Sequence, residues 1–246
     1  STLNQGWTVR LKSREYYFRS SVSWPKISAG AFSARYYPSG FIFDVAGCCY
    51  FPYDENAKKV MVGFLNSKVV QRLLEFLSPT LNFEIEQIKR LPFIEVNASG
   101  ISSLEGIFEI SKNDWDSREV SWDFQNFALI SNTDSVSLSF SKWEQESSQR
   151  FFKLHEDEET LNSIFINIYG LQEELTPEVD LKNITILQDE IDHATLAAEN
   201  DKLLFDKTGL PINRGVVISQ LLSYAVGCFM GRYRLDKPGL NIAHPN

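Results

Sequence analysis

Between residues 16 and 51 the apolar positions come in short bursts, each cut off within a few residues by glycine or proline. Tyr16-Tyr17-Phe18, Phe41-Ile42-Phe43 and Cys48-Cys49-Tyr50-Phe51 have the length and aromatic bias of strands. Pro25, Gly30, Pro38-Ser39-Gly40 and Gly47 mark the turns between them. Val60-Met61-Val62-Gly63-Phe64-Leu65 is a further unbroken apolar run and predicts another strand. The period then lengthens. Val69, Val70, Leu73, Leu74 and Leu77 recur at helical spacing behind Asn66-Ser67, which can cap a helix start. Ser78-Pro79 stops that helix, because proline lacks the next backbone donor. Asn82 predicts the cap of a short helix over 83–90, closed by Leu91-Pro92.

Beyond residue 96 the pattern loosens. Asn97-Ala98-Ser99-Gly100 predicts a turn, and 102–140 reads as an extended connector pinned by Trp115 and Trp122. A long amphipathic helix is predicted from Ser141, with Trp143, Phe151, Leu154, Leu161, Phe165 and Ile168 as its stripe. Glu156-Asp157-Glu158-Glu159 is expected to face water, and Gly170 to cap the end. Thr176-Pro177-Glu178 predicts a helix start, and 212–234 a final, more fully buried helix. Its uncharged stretch 215–231 is at the short end of a bilayer span and contains Ser219, Gln220 and Ser223, so burial in protein is the better reading. The fold class is therefore α+β. A small mixed sheet with short helices occupies 1–97, an extended connector 98–140, and a mainly helical region 141–246.

A hydrophobic fraction of 43% with 23% charged residues describes an ordinary globular protein with a real core. The chain opens on Ser-Thr-Leu-Asn, without methionine and without the basic and apolar regions of a signal peptide, and is expected to be a piece of a longer protein. Cys48, Cys49 and Cys228 are odd in number and lack metal-ligand spacing. They point to a reducing cytoplasm rather than to disulfides or zinc. The net charge of −8 conceals a split: residues 1–90 hold 12 Lys/Arg against 7 Asp/Glu, and the remainder 12 against 25. A basic half beside an acidic half is compatible with a local phosphate-binding face, and equally with a solvated basic surface.

Lys26, Arg35 and Tyr36 are the leading candidates for DNA contact, since arginine can read guanine bidentately while lysine and tyrosine hold phosphate oxygens. Lys68 and Arg72 lie four apart on one helix face, and Asn66 leaves that helix start open to an anion. Ser28, Gly30 and Ser33 sit in a loop where hydroxyls can approach phosphates, although turn chemistry alone also explains them. Lys89-Arg90 is a similar basic pair. His155 is expected to be exposed beside its acidic run. His193 follows Asp192 and His244 lies near the chain end, and neither belongs to a catalytic set. Trp24, Trp115, Trp122 and Trp143 are read as packing residues. Arg232, Arg234 and Lys237 suit the C-terminal dipole of the last helix.

Ser23-Trp24-Pro25-Lys26-Ile27-Ser28-Ala29-Gly30, Phe32-Ser33-Ala34-Arg35-Tyr36, Gly40-Phe41-Ile42-Phe43-Asp44 and Phe64-Leu65-Asn66-Ser67-Lys68 together resemble the large adenine-specific DNA methyltransferases of BREX phage-defence systems, the PglX family. The resemblance continues in order through Trp115-Asp116-Ser117-Arg118-Glu119-Val120-Ser121-Trp122-Asp123-Phe124, then Leu161-Asn162-Ser163-Ile164-Phe165-Ile166. It closes with Tyr169-Gly170-Leu171-Gln172-Glu173-Glu174-Leu175-Thr176-Pro177-Glu178 and Ser223-Tyr224-Ala225-Val226-Gly227-Cys228. It implies methyl transfer from S-adenosylmethionine to the exocyclic amine of adenine in host DNA. The family's Asn-Pro-Pro-Tyr motif, which holds the flipped base, is missing here: none of the nine prolines is followed by another. The glycine-rich cofactor loop is missing too. The segment is thus expected to lie beyond the catalytic domain, with no catalytic, cofactor-binding or metal-binding residue of its own. Its expected partners are double-stranded DNA, the catalytic domain of the parent chain and further defence proteins, with no membrane. Two readings remain: a target-recognition segment, or a docking module whose acidic helices bind proteins and leave DNA to other segments. An independent enzyme is disfavoured, as no nucleophile with a base and no carboxylate pair stands out.

Overall fold

The computed structural model describes residues 13–28, 30–78, 82–96, 101, 103–130, 135–207 and 209–241. Arg10 and Lys12 of the basic opening, Ala29, Pro79, the 97–100 turn and His244 lie outside the described residues. Contacts divide the chain into two compact units, Ser1–Leu104 with Thr160–Pro177, and Glu105–Glu159 with Glu178–Asn246.

The first unit is built on a three-stranded sheet of order β2-β1-β3, comprising β1 (Ser21–Pro25), β2 (Arg35–Tyr37) and β3 (Gly47–Tyr50). The α+β class holds, with both strand pairs antiparallel where mixed pairing was expected. Val22 lies opposite Tyr36 and Tyr50, and Trp24 opposite Cys48, so these side chains share one face. Ser21 opposite Tyr37, and Ser23 opposite Arg35 and Cys49, share the other. Val22 and Trp24 are buried. The Trp24 indole donates to the Phe83 carbonyl at 3.0 Å, and Phe32 packs between the two rings.

Helix α1 (Glu55–Asn66) covers the Val22 face. The 60–65 run is helical, not extended. Asp54 accepts from the Ala57 N–H at 2.8 Å, and Val60, Gly63 and Phe64 then fall on one buried side. Six apolar residues look alike in a buried strand and a buried helix, and here the cap upstream decides. α2 (Lys68–Leu77) follows the predicted period, with Ser67 as its cap, and α3 (Ile85–Ile88) is a shorter version of the expected 83–90 helix. Two predicted strands are absent. Arg14–Tyr16 is a 3-10 turn, and Phe18 adopts a left-handed φ of 63°. The Phe18 N–H donates to the Phe41 carbonyl and its own carbonyl accepts from Gly40, both at 3.0 Å, so the two aromatic segments meet in one bonded pair rather than a ladder.

Helix α5 (Val136–Tyr169) begins five residues before its predicted start and contributes to both units. In the first unit its last turns set Phe165 and Tyr169 against Phe64, at ring separations of 5.6 and 5.9 Å. Gly170 ends it at a φ of 67°.

The second unit contains most of α4 (Ser103–Asp116), the remainder of α5, a 3-10 turn at Leu181–Asn183, α6 (His193–Ala198), α7 (Asn200–Asp206) and α8 (Arg214–Phe229). One core gathers Phe151, Leu154, Leu181, Ile184 and Leu196. A second joins Phe124, Phe127, Phe140, Val217, Tyr224 and Tyr233. Part of the expected extended connector is thus helix α4. Trp115 and Trp122 do not pin it: both are exposed, Trp122 completely. Arg118 does so instead, bonded to Asp114, Asp189 and Glu190.

Three further expectations fail because α5 is covered by other parts of the chain. His155 is only 3% exposed, with Nε2 at 2.7 Å from the Val179 carbonyl, and Glu159 accepts from the Val179 N–H at 3.0 Å. Asp157 of the acidic run is buried as well, paired to Lys153 at 2.8 Å. Residues 177–180 stay extended instead of opening a helix, because side chains of α5 already satisfy their backbone groups. Finally, α8 is not fully buried: Val217 and Tyr224 enter the core, while Leu222, Val226 and Phe229 are exposed. No helix among the described residues is long and apolar enough to cross a membrane.

Candidate nucleic-acid interface

Asn66, the last residue of α1, ties the start of β2 to the junction of two helices. Its amide N–H donates to the Ala34 carbonyl at 2.9 Å and its Oδ1 accepts from the Ala34 N–H at 2.8 Å, the two bonds a neighbouring strand would supply. Ser33 and Arg35 flank Ala34, while Lys68 follows Asn66 by two residues, so one amide brings these three to a single corner. Arg35 is exposed on the open face of the sheet, its Nη1 donating to the Ala34 carbonyl at 3.1 Å. Among the described residues neither Arg35 nor Lys68 makes an ion pair.

Strand alternation sends Tyr36 to the opposite face, toward α1. Its hydroxyl donates to Glu55 Oε2 at 2.9 Å, and Glu55 Oε1 also accepts from Ser20 at 2.8 Å and from the buried Lys58 at 2.5 Å. Burial pushes the Tyr36 hydroxyl pKa up, whereas the Lys58 ammonium brings the Glu55 carboxyl down to about 2. Lys26 pairs with Glu84 at 3.2 Å, and Arg72 with Glu75 at 2.5 Å while lying over the Phe76 ring. Such exposed pairs contribute little, and a phosphate can replace the carboxylate. Lys89 is similarly paired with Glu86. Ser28 Oγ accepts from the Gly30 N–H at 3.3 Å, an ordinary turn contact, and Ser33 is half-buried. The expected anion site at the start of α2 does not form. The Lys68 N–H is taken by Asn162 Oδ1 at 3.0 Å, the Val70 N–H by Ser67, and Ser67 itself is buried.

Sequence reasoning overlooked the residues around Arg35. Tyr37 shares its face, with the Phe41 ring 5.5 Å away. Arg19 lies over both the Tyr16 and Tyr53 rings, at 5.3 and 5.8 Å, and Tyr16 continues through Phe51 and Phe43 to Tyr17. The signal was present as aromatics interleaved with arginines over 14–53, a pattern that suits strands and nucleic-acid surfaces alike. Among the described residues no group of three or more His, Cys, Asp or Glu is placed to hold a metal ion.

No family model matches the chain. Among curated proteins it is 36% identical over 247 residues to the adenine-specific methyltransferase PglX of Lacticaseibacillus casei (strain Zhang). It is 33% identical over 238 residues to the adenine-specific methyltransferase BrxX of Escherichia coli O9:H4 (strain HS). The chain matches a segment of PglX and BrxX. Each alignment covers 96% of the chain, and the chain spans 19% of the length of each relative. The PglX resemblance read from the ordered motifs therefore holds along nearly the whole chain.

Proposed function

We propose that this chain is the DNA-recognition and positioning segment of an adenine-specific, S-adenosylmethionine-dependent DNA methyltransferase of a BREX phage-defence system, acting in the cytoplasm. The observation that carries the reading is that Asn66 ties the β2 start to the α1–α2 junction, with Arg35 on one side and Lys68 on the other making no ion pair among the described residues, in a chain similar to adenine-specific methyltransferases over 96% of its length. Arg35 is free to address a base edge or a phosphate. Lys26, Lys68 and Arg72 supply phosphate contacts, with Ser28 and Ser33 as hydroxyl donors beside them.

The residues present do not fit the methyl donor. A surface hollow of about 340 Å³ is lined by Ile110, Glu146, Gln149, Arg150 and Lys153, and another of about 350 Å³ by residues 197–202; both are charged helix surfaces without a glycine-rich turn for an adenosyl group. No chemical step is therefore assigned to these residues. Transfer to the adenine amine belongs to the catalytic domain of the longer polypeptide, and this segment holds the duplex for it.

Fluorescence anisotropy with labelled duplex DNA at low and moderate salt tests the reading. The chain is expected to bind with steep salt dependence. A variant with Lys26, Arg35, Lys68 and Arg72 all changed to glutamine should bind more weakly, its log–log salt slope flatter by about 0.9 for each phosphate no longer neutralised. Equal binding by both proteins removes the assignment of these residues. Absence of binding at low salt favours the second reading, a protein-docking module. That reading has its own support: α8 presents Leu222, Val226 and Phe229 to solvent, Phe229 at 90% exposure, and Met230 just beyond it is exposed as well.

A further inference from the structure

Around the open sheet face the first unit leaves a set of aromatic rings unburied, which folding alone does not explain. Phe18, Tyr37, Phe41 and Tyr53 are all exposed, Tyr53 at 95%. They form one neighbourhood. The Phe41 ring lies against Tyr37, Phe41 is backbone-bonded to Phe18, and Phe18 is followed by Arg19, which lies over Tyr16 and Tyr53. Phe18 is held in the left-handed region, a costly conformation for a bulky residue, and it turns an apolar side chain to solvent.

Two guanidinium groups in this neighbourhood are available to an anion. Arg19 and Arg35 have no ion pair among the described residues. Three of the nearby acids have local partners: Asp44 accepts from the Ala46 and Gly47 N–H groups, Asp54 caps α1, and Glu55 is bound by Ser20, Tyr36 and Lys58, while Glu15 is exposed beside Tyr16. A protein partner with an apolar face would leave two guanidinium groups facing it. An unpaired stretch of nucleic acid matches both features, since its bases stack on rings while its phosphates meet the arginines.

We propose that this arginine–aromatic face stacks nucleobases that have left the duplex, with Tyr53 and Phe41 as the principal platforms and Arg19 and Arg35 as phosphate partners. The inference rests on the DNA-binding reading above. It adds that the site prefers unpaired to paired bases, whether these come from a single strand or from a base extruded out of a duplex.

The test is fluorescence anisotropy of the 246-residue chain with three labelled probes: a short oligothymidylate, a fully paired duplex, and the same duplex carrying one unpaired base. The oligothymidylate, or both it and the interrupted duplex, should bind at least about tenfold tighter than the paired duplex. Tyr53→Ala and Phe41→Ala should each remove roughly tenfold of that preference and leave paired-duplex binding unchanged, and Tyr53→Phe should restore it. Preference for the oligothymidylate alone assigns a single strand. Preference shared by the interrupted duplex assigns an extruded base. Binding to paired duplex with no preference, or a preference untouched by both ring variants, overturns this proposal and leaves the DNA reading intact. Loss of all binding to the same degree in the ring variants also overturns it. Failure of the parent chain to bind any probe overturns both.

Discussion

Replacing Arg118 with methionine isolates what holds the second unit together. The guanidinium makes four hydrogen bonds: two to Glu190 at 3.2 and 3.1 Å, one to Asp114 at 3.4 Å and one to Asp189 at 2.9 Å. Asp189 is exposed and contributes little. Glu190 is buried and keeps only Gln220 at 2.7 Å once Arg118 is gone, while Asp114 keeps the Leu187 N–H at 3.0 Å. Removing one partner of a buried pair costs about 3–5 kcal/mol, and methionine preserves part of the packing, so a loss of about 3 kcal/mol is expected. For a chain of this size that lowers Tm by roughly 6–12 °C. The deficit should depend on pH. Burial already pushes the Asp114 pKa up, with Arg118 the main opposing influence. Without the cation, the folded-state value of Asp114 rises further above its unfolded one. The folded variant then binds protons more readily, and its deficit should shrink as pH falls from neutral toward the ordinary carboxylate range. Urea denaturation followed by circular dichroism, with hydrogen exchange assigning the loss to 105–159 and 178–241, measures both effects. A deficit under about 1 kcal/mol, or one that stays constant between neutral and acid pH, refutes the role given to this arginine.

In Glu55→Gln the depressed carboxyl is removed. The wild-type contribution is present above the ordinary value near 4.5 and is lost as pH falls toward about 2, so the stability difference between the two proteins should vanish across that window in acid titrations. Asn66→Ala leaves the fully buried Ala34 N–H without its partner, while the carbonyl keeps only the Arg35 guanidinium, and should cost about 1–3 kcal/mol, seen as loss of hydrogen-exchange protection at Ala34. Gly227→Ala places a methyl 2.7 Å from the Tyr233 ring. The overpacking, about 1–3 kcal/mol, should outweigh the gain of about 1 kcal/mol in helix propensity and change the near-ultraviolet dichroism of the Tyr224–Tyr233 stack.

What could be read in advance was whatever the chain decides locally. The period of α2, the glycine end of α5 and the α+β class all follow from residues within a few positions of one another. What could not be read depends on partners far along the chain. His155 and Asp157 look solvent-bound beside acidic neighbours, yet Val179 folds over His155 from 24 residues later in the chain and Gly106 of α4 lies against Asp157. Arg118 lies in a stretch without clear periodicity, and its partners Asp189 and Glu190 come more than 70 residues later. The tryptophans misled for the opposite reason. Large rings are expected to anchor, but in 115–122 the anchor is a guanidinium and the rings face water.

The site was harder, because a strand of three residues carries so little periodic signal. Once β2 is recognised, the alternation follows without further information: Arg35 and Tyr37 face one way and Tyr36 the other. Grouping Arg35 with Tyr36 as adjacent candidates therefore joined residues that the pleat separates, one on an open surface and one bonded to Glu55 beneath α1. The same rule identifies the more informative neighbour. Tyr37 shares the exposed face with Arg35 and leads through Phe41 to Phe18, Arg19 and Tyr53. Summed charge singled out one half of the chain but could not separate its paired cations from its unpaired ones. Lys26 and Arg72 are already paired with carboxylates, whereas Arg19, which no motif singled out, has none among the described residues. For an acidic chain the useful quantity is thus the cationic charge left without a partner, and here it coincides with the rings left without cover.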